Sequence, residues 1–254
     1  MIALFTLTII RETTIMSTSK YAVSFAKYFD HTLLKANATE AEIVKLCEEA
    51  KTYGFFGVCI NTCHLPVVVR ELESSVPVPV CVIGFPLGAM STDVKVDETK
   101  WAVDHGAKEI DMVANIGFFL SDSEKRTRED ISRVVKAAQN AAVKVIIETA
   151  YLNKTQIKTL TRWSAIEGAS FVKTSSGFTS RGASEDDILF MKEALSELSP
   201  KVSTKIKASG GIKSLDIANL MIEAGASRIG SSGSVSILKD FLEKRSPPSN
   251  FAPL

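Results

Sequence analysis

The chain has 254 residues, 45% of them hydrophobic, which is enough to bury a large core within one α/β barrel domain. Thirty basic against 29 acidic residues leave a net charge of +1 with no long run of one sign. That balance excludes the broad phosphate attraction of a nucleic-acid binder and confines any phosphate site to a local pocket.

The four cysteines, Cys47, Cys59, Cys63 and Cys81, are too few for a disulfide scaffold at this length, and the close pair Cys59 and Cys63 lacks CxxC spacing. A zinc site from Cys59, Cys63 and His64 has no second ligand cluster to complete it. Reduced thiols in a cytoplasmic protein with no metal are the simpler reading.

In chain order, Met1 to Ile10 are apolar, but the run is too short to span a bilayer, and Arg11 follows it where a signal peptide would carry charge ahead. Residues 1–19 are therefore expected to be an appendage and residues 20–254 the folded domain, with no membrane partner. Strand patterns follow at 28–30, 57–60, 78–84, 109–114, 144–148, 170–174, 205–209 and 228–230. Helical patterns alternate with them at 40–53, 64–72, 91–105, 123–140, 154–167, 185–198, 214–224 and 235–243. Eight mostly apolar strands, each followed by a helix, predict a parallel sheet closed into a single-domain (β/α)₈ TIM barrel. Gly106-Ala107, Gly168-Ala169 and Gly225-Ala226 repeat at a spacing of two βα units, each between a helix and a strand. The rival, an open doubly wound sheet, lacks GxGxxG after its first strand.

Barrel active sites lie at the carboxyl ends of the strands. Two-residue alternation turns Ile110 and Met112 toward the helices and Asp111 into the barrel, and the same rule points Lys173 and Lys207 inward. A lone inward aspartate is ordinarily structural, and a lone lysine at a strand end is ordinarily solvated. Three such residues on three separate strands, sharing a small space inside the barrel, suggest chemistry. A lysine with its reference pKa near 10.4 becomes a nucleophile at neutral pH only if that value falls by roughly three, or about 4 kcal/mol. A second ammonium about 4 Å away at an effective dielectric near 20 supplies repulsion of that order. The free amine then adds to a carbonyl, and the carboxylate, with a water, moves protons beside the imine. Ser209-Gly210-Gly211 and Gly230-Ser231-Ser232-Gly233 leave backbone N–H groups for an oxyanion at adjacent strand ends. By the same alternation Glu109 and Lys205 lie one layer deeper, where at least one is expected to find a charged or hydrogen-bonding partner.

Six segments together resemble the 2-deoxyribose-5-phosphate aldolase family: Phe29-Asp30-His31-Thr32-Leu33-Leu34-Lys35, Val58-Cys59-Ile60, Glu109-Ile110-Asp111-Met112-Val113, Phe171-Val172-Lys173-Thr174-Ser175-Ser176-Gly177, Lys207-Ala208-Ser209-Gly210-Gly211-Ile212 and Arg228-Ile229-Gly230-Ser231-Ser232. The resemblance implies a metal-independent class I aldolase that reversibly cleaves 2-deoxy-D-ribose 5-phosphate to acetaldehyde and D-glyceraldehyde 3-phosphate. It assigns Lys173 as the Schiff-base lysine, Lys207 as the lysine that perturbs it and Asp111 as the proton-relay acid. Asp30 and Cys59 become supporting residues, and Gly177, Gly210, Gly211, Gly230, Ser232 and Gly233 the phosphate-binding positions. The implied partner is a sugar phosphate, with no cofactor, and a dimer or tetramer is compatible with the fold. Ser176, where the family usually has threonine, and Ala150, where it usually has cysteine, depart from the pattern without touching the trio. Another phosphate-binding barrel enzyme, transaldolase-like or a sugar-phosphate isomerase, would use the same loops.

Overall fold

The computed structural model of the protein describes residues 22–199 and 201–244; the expected appendage, residues 1–19, lies outside them. Eight parallel strands close in sequence order: β1 (Phe29–Leu33), β2 (Gly57–Ile60), β3 (Val78–Ile83), β4 (Glu109–Val113), β5 (Ala142–Ile146), β6 (Phe171–Lys173), β7 (Lys205–Ser209) and β8 (Arg228–Ser231). The seam pairs Phe29 with Ile229 and Asp30 with Gly230. The expected barrel is the observed fold, and the open sheet is excluded.

Helices cover the sheet, among them α1 (Glu40–Tyr53), α2 (Leu65–Glu71), α3 (Thr92–Asp104), α4 (Ile116–Leu120), α5 (Glu124–Ala137), α6 (Lys154–Ile166), α7 (Glu185–Ser196), α8 (Leu215–Ala224) and α9 (Ser234–Lys244). Their starts are set by local hydrogen bonds. Thr39 and Glu42, Asn153 and Gln156, and Ser184 and Asp187 form reciprocal capping boxes at α1, α6 and α7. The glycine-alanine repeat marks their ends. Gly106, Gly168 and Gly225 have φ of +101°, +90° and +125°, and each following alanine donates its N–H to a carbonyl five residues back at 2.9–3.0 Å. That bond closes a helix end and turns the chain into the next strand.

Outward-facing strand residues such as Val58, Cys81, Ile110, Met112, Val172, Ala208 and Ile229 join the helices in one continuous apolar layer. Inside the barrel the two sides differ. Cys59, Val80 and Val82 form a small separate apolar cluster on β2 and β3, while the inward residues of the remaining strands are largely charged. Two elements depart from expectation. Strand β5 begins at Ala142 because it pairs with β4 from Glu109 onward. Helix α4, capped by Asn115, has five residues and is too short to show a helical period.

Gly168→Ala tests the repeat. Its added Cβ would come within 3.4 Å only of Val135 Cγ1, so the strain is that of a positive φ rather than of crowding. A loss of about 1 kcal/mol in urea-unfolding free energy is expected, with activity retained.

Candidate active site

The inward residues of β1 and β4–β8 form one network around the Asp111 carboxylate. Asp111 Oδ2 accepts from Lys173 Nζ at 2.7 Å and from Lys207 Nζ at 2.8 Å, and Oδ1 accepts from Lys144 Nζ at 2.6 Å. Lys207 also donates to Asp30 Oδ2, and Asp30 Oδ1 accepts from Arg228 Nη1 at 2.8 Å. Toward the amino-terminal end of the barrel, Glu109 Oε2 lies 2.6 Å from Lys144 Nζ and 3.2 Å from Arg228 Nη1. The Arg228 guanidinium also lies over the Phe56 ring, 3.4 Å from its centroid. Glu109 thus has the deep partner expected of its register, whereas Lys205 is exposed.

Charges this deep persist only if they are matched. Burial alone would raise the Asp111 carboxyl, but Lys144, Lys173 and Lys207 outweigh it and hold the group well below the usual carboxylate range. Asp30 follows the same balance, with Lys207 and Arg228 the main opposing charges. Burial would lower the Lys207 ammonium, yet Asp111 and Asp30 hold it above the ordinary lysine value, so it stays a cation. Three carboxylates therefore face four basic side chains, one cation more than balance requires. Lys173 has a single carboxylate partner, whereas each of the other three bases has two or more. It is also the one of the four that borders the cavity above the network.

That cavity, about 270 Å³, opens at the carboxyl ends of β6, β7, β8 and β1. Five of the six expected anion positions line it: Gly177, Gly210, Gly211, Gly230 and Ser232. Gly233 does not; its N–H donates to Ser231 Oγ at 2.9 Å, which removes it as a free donor. Gly230 has a second role, since a Cβ there would sit 3.1 Å from Lys207 Cε and crowd that side chain. Gly57 makes room for Asp30 in the same way, its Cβ falling 3.0 Å from Oδ1. Cys59 is wholly buried beside the network, and burial, followed by the Asp111 charge, pushes its thiol up to about 11. A neutral thiol is a packing group rather than a nucleophile. Cys63, by contrast, is exposed.

Sequence reasoning missed Lys144 and Arg228 in the network and Lys35 and Lys213 on the cavity wall. The alternation rule reaches the first two once β5 and β8 are placed in register, since Lys144 pairs with Asp111 and Arg228 with Lys207. For Lys35 and Lys213 the signal was a lysine close after a strand end.

A parallel barrel whose charged interior opens into a small cavity at the carboxyl ends of its strands has the architecture of a (β/α)₈ enzyme. The model of the DeoC/LacD family aldolases matches residues 24–243, and the chain belongs to that family. It is 46% identical over 215 residues to a deoxyribose-phosphate aldolase of Treponema denticola, covering 84% of this chain and 97% of that one. With a deoxyribose-phosphate aldolase of Mycoplasmoides pirum it shares 47% identity over 223 residues, covering 87% and 100%. Among solved structures, the tetrameric deoxyribose phosphate aldolase of Aeropyrum pernix superposes with a TM-score of 0.77 at 33% identity, covering 85% of this chain and 90% of that one. Among the described residues no helix is long and apolar enough to cross a membrane.

Removing the Asp30 charge should leave Lys207 and Arg228 undercompensated. Asp30→Asn is expected to cost about 3–5 kcal/mol at pH 7 in urea unfolding. Because the folded-state pKa of Asp30 is depressed, its contribution is complete above the unfolded value near 4 and fades as pH falls from there through the folded value. The gap between wild type and variant should accordingly narrow below about pH 4.

Proposed function

We propose that the protein is a deoxyribose-phosphate aldolase that reversibly cleaves 2-deoxy-D-ribose 5-phosphate to acetaldehyde and D-glyceraldehyde 3-phosphate through a Schiff base on Lys173. The observation that carries this assignment is the single Asp111 carboxylate shared by three lysine amines, of which only Lys173 borders the cavity. Lys173 is thus the amine of the network that a substrate carbonyl can reach.

Attack by Lys173 Nζ on the open-chain aldehyde and loss of water give an iminium. The iminium draws electrons from the bond between the second and third sugar carbons as the third-carbon hydroxyl loses its proton through Asp111 and a water. Glyceraldehyde 3-phosphate leaves, and the electron pair of the broken bond remains as an enamine. Protonation of the enamine carbon through the same relay, then hydrolysis, releases acetaldehyde and restores the amine. Asp111 is held low by its three cations, so a proton it accepts is readily passed on, and Lys207, sharing Oδ2, is the nearest fixed donor. Lys207 thus acts as a permanent cation beside Lys173, while Asp30 holds it in place.

The phosphate belongs in the cavity, against the backbone of Gly177, Gly210, Gly211 and Gly230 and beside Ser232. Lys35 and Lys213 add positive charge to its wall. We place the enzyme in the cytoplasm, in deoxyribose phosphate catabolism. Borohydride reduction in the presence of acetaldehyde should add mass to the Lys173 peptide, and labelling only elsewhere would overturn the assignment. Lys173→Ala should lower acetaldehyde release from deoxyribose 5-phosphate by at least about a thousandfold, whereas EDTA should leave the wild-type rate unchanged.

A further inference from the structure

Glu148 is a buried carboxylate that the chemistry above does not use. It follows β5 with φ of +49°, a left-handed backbone unfavourable for a residue with a Cβ, so its neighbours must hold it there. Both carboxylate oxygens accept the Ser176 N–H at 3.2 Å, and Oε1 also accepts from Thr179 Oγ1 at 3.2 Å. The next residue continues the attachment, with Thr149 N–H donating to Thr174 O at 2.9 Å. Arg181 fixes the far end of the loop by donating from Nη2 to Thr149 O at 2.7 Å and to Asp187 Oδ1 at 3.1 Å.

Residues 174–182, which follow Lys173, are thereby tied along their length to the end of β5. The consequence falls on one peptide group. The Ser176 N–H is committed to Glu148, and the Phe178 N–H to Ser176 Oγ at 3.1 Å. Between them, the Gly177 N–H is taken by no protein acceptor among the described residues, and Gly177 lines the cavity. Glu148 itself stands behind this loop. It borders a separate cavity of about 420 Å³ on the other side of Ser176 and Phe178, so its charge does not line the proposed anion site.

We propose that Glu148 is a positioning residue for phosphate recognition: by holding the Ser176 amide it fixes the 176–178 backbone so that the Gly177 N–H is left for the substrate's phosphate. The inference rests on the aldolase reading for the identity of the substrate. Its direct readout, affinity for inorganic phosphate, does not require turnover.

Two variants test it. Glu148→Gln keeps the shape but offers one acceptor oxygen, and Glu148→Asn tolerates the left-handed backbone but is one methylene too short to reach the loop. Turnover of deoxyribose 5-phosphate and of unphosphorylated deoxyribose is compared, with inorganic phosphate titrated by ³¹P NMR. For Glu148→Gln, KM for the ester is expected to rise about fivefold and phosphate affinity to fall by the same factor, with kcat, and kcat/KM for deoxyribose, within about twofold of wild type. Glu148→Asn should exceed it. A parallel loss on both sugars would mean a merely structural role and overturns the proposal, as does unchanged phosphate affinity. Should neither variant fold, Thr179→Val removes only one donor to Glu148 and should raise the ester KM about twofold, an unchanged KM counting against the idea. Failure of the wild type to release acetaldehyde would sink the aldolase reading alone, since the phosphate titration reports on the loop in either case.

Discussion

The structure turns on the ionised state of Asp111. A carboxylate removed from water is costly, and this one is kept charged by three ammonium donors arriving from three different strands, β5, β6 and β7. The network thus ties these strands to one another in addition to the ladder hydrogen bonds. Glycines at Gly57 and Gly230 are the steric counterpart, since each leaves the volume that a long or charged neighbour occupies. The apolar cluster of Cys59, Val80 and Val82 closes the opposite wall and keeps water from screening the charges.

The site joins two kinds of positive potential. One is fixed and deep, the side chains of Lys144, Lys207 and Arg228. The other is shallow, made of backbone N–H groups at Gly177, Gly210 and Gly211 with the lysines Lys35 and Lys213 nearby. Lys173 stands at the boundary. In the proposed function, an anionic sugar held at the shallow part presents its far end to an amine backed by the deep part, which separates binding from chemistry. Within the shallow part, the loop after β6 is held against the loop after β7: Gly182 lies so near Gly210 that a Cβ on it would fall 2.0 Å from the Gly210 carbonyl oxygen.

Much of this was legible in the sequence because the alternation of side chains along a strand is a rigid rule. It placed Asp111, Lys173 and Lys207 on one side with no knowledge of how the strands pair. It failed for Lys144, for a reason that lies in strand length. When β5 is taken to start at residue 144, that lysine stands at a strand end, where solvent is near; pairing of Glu109 with Ala142 puts it in mid-strand and inside. Arg228 was hidden in the same way as the first residue of β8, and its role follows only from its pairing with Lys207 across the sheet. Gly233 shows a different limit of pattern reading. A glycine-serine run advertises free N–H groups, but whether a nearby hydroxyl claims one depends on a local rotamer that no pattern encodes, and Ser231 Oγ claims this one. Helix α4 was missed because five residues fall short of two turns.

The partners of Asp30 lie far along the chain: Lys207 is 177 residues later and Arg228 is 198. An aspartate among the first residues of the barrel to leave the ribosome must therefore wait for almost the entire polypeptide before its ion pairs can form. Until the last two strands arrive, Asp30 has only Lys144, 3.9 Å away, to oppose its charge, which penalises premature closure. The same contacts that serve the finished site thus tie its completion to the meeting of the two ends of the sheet.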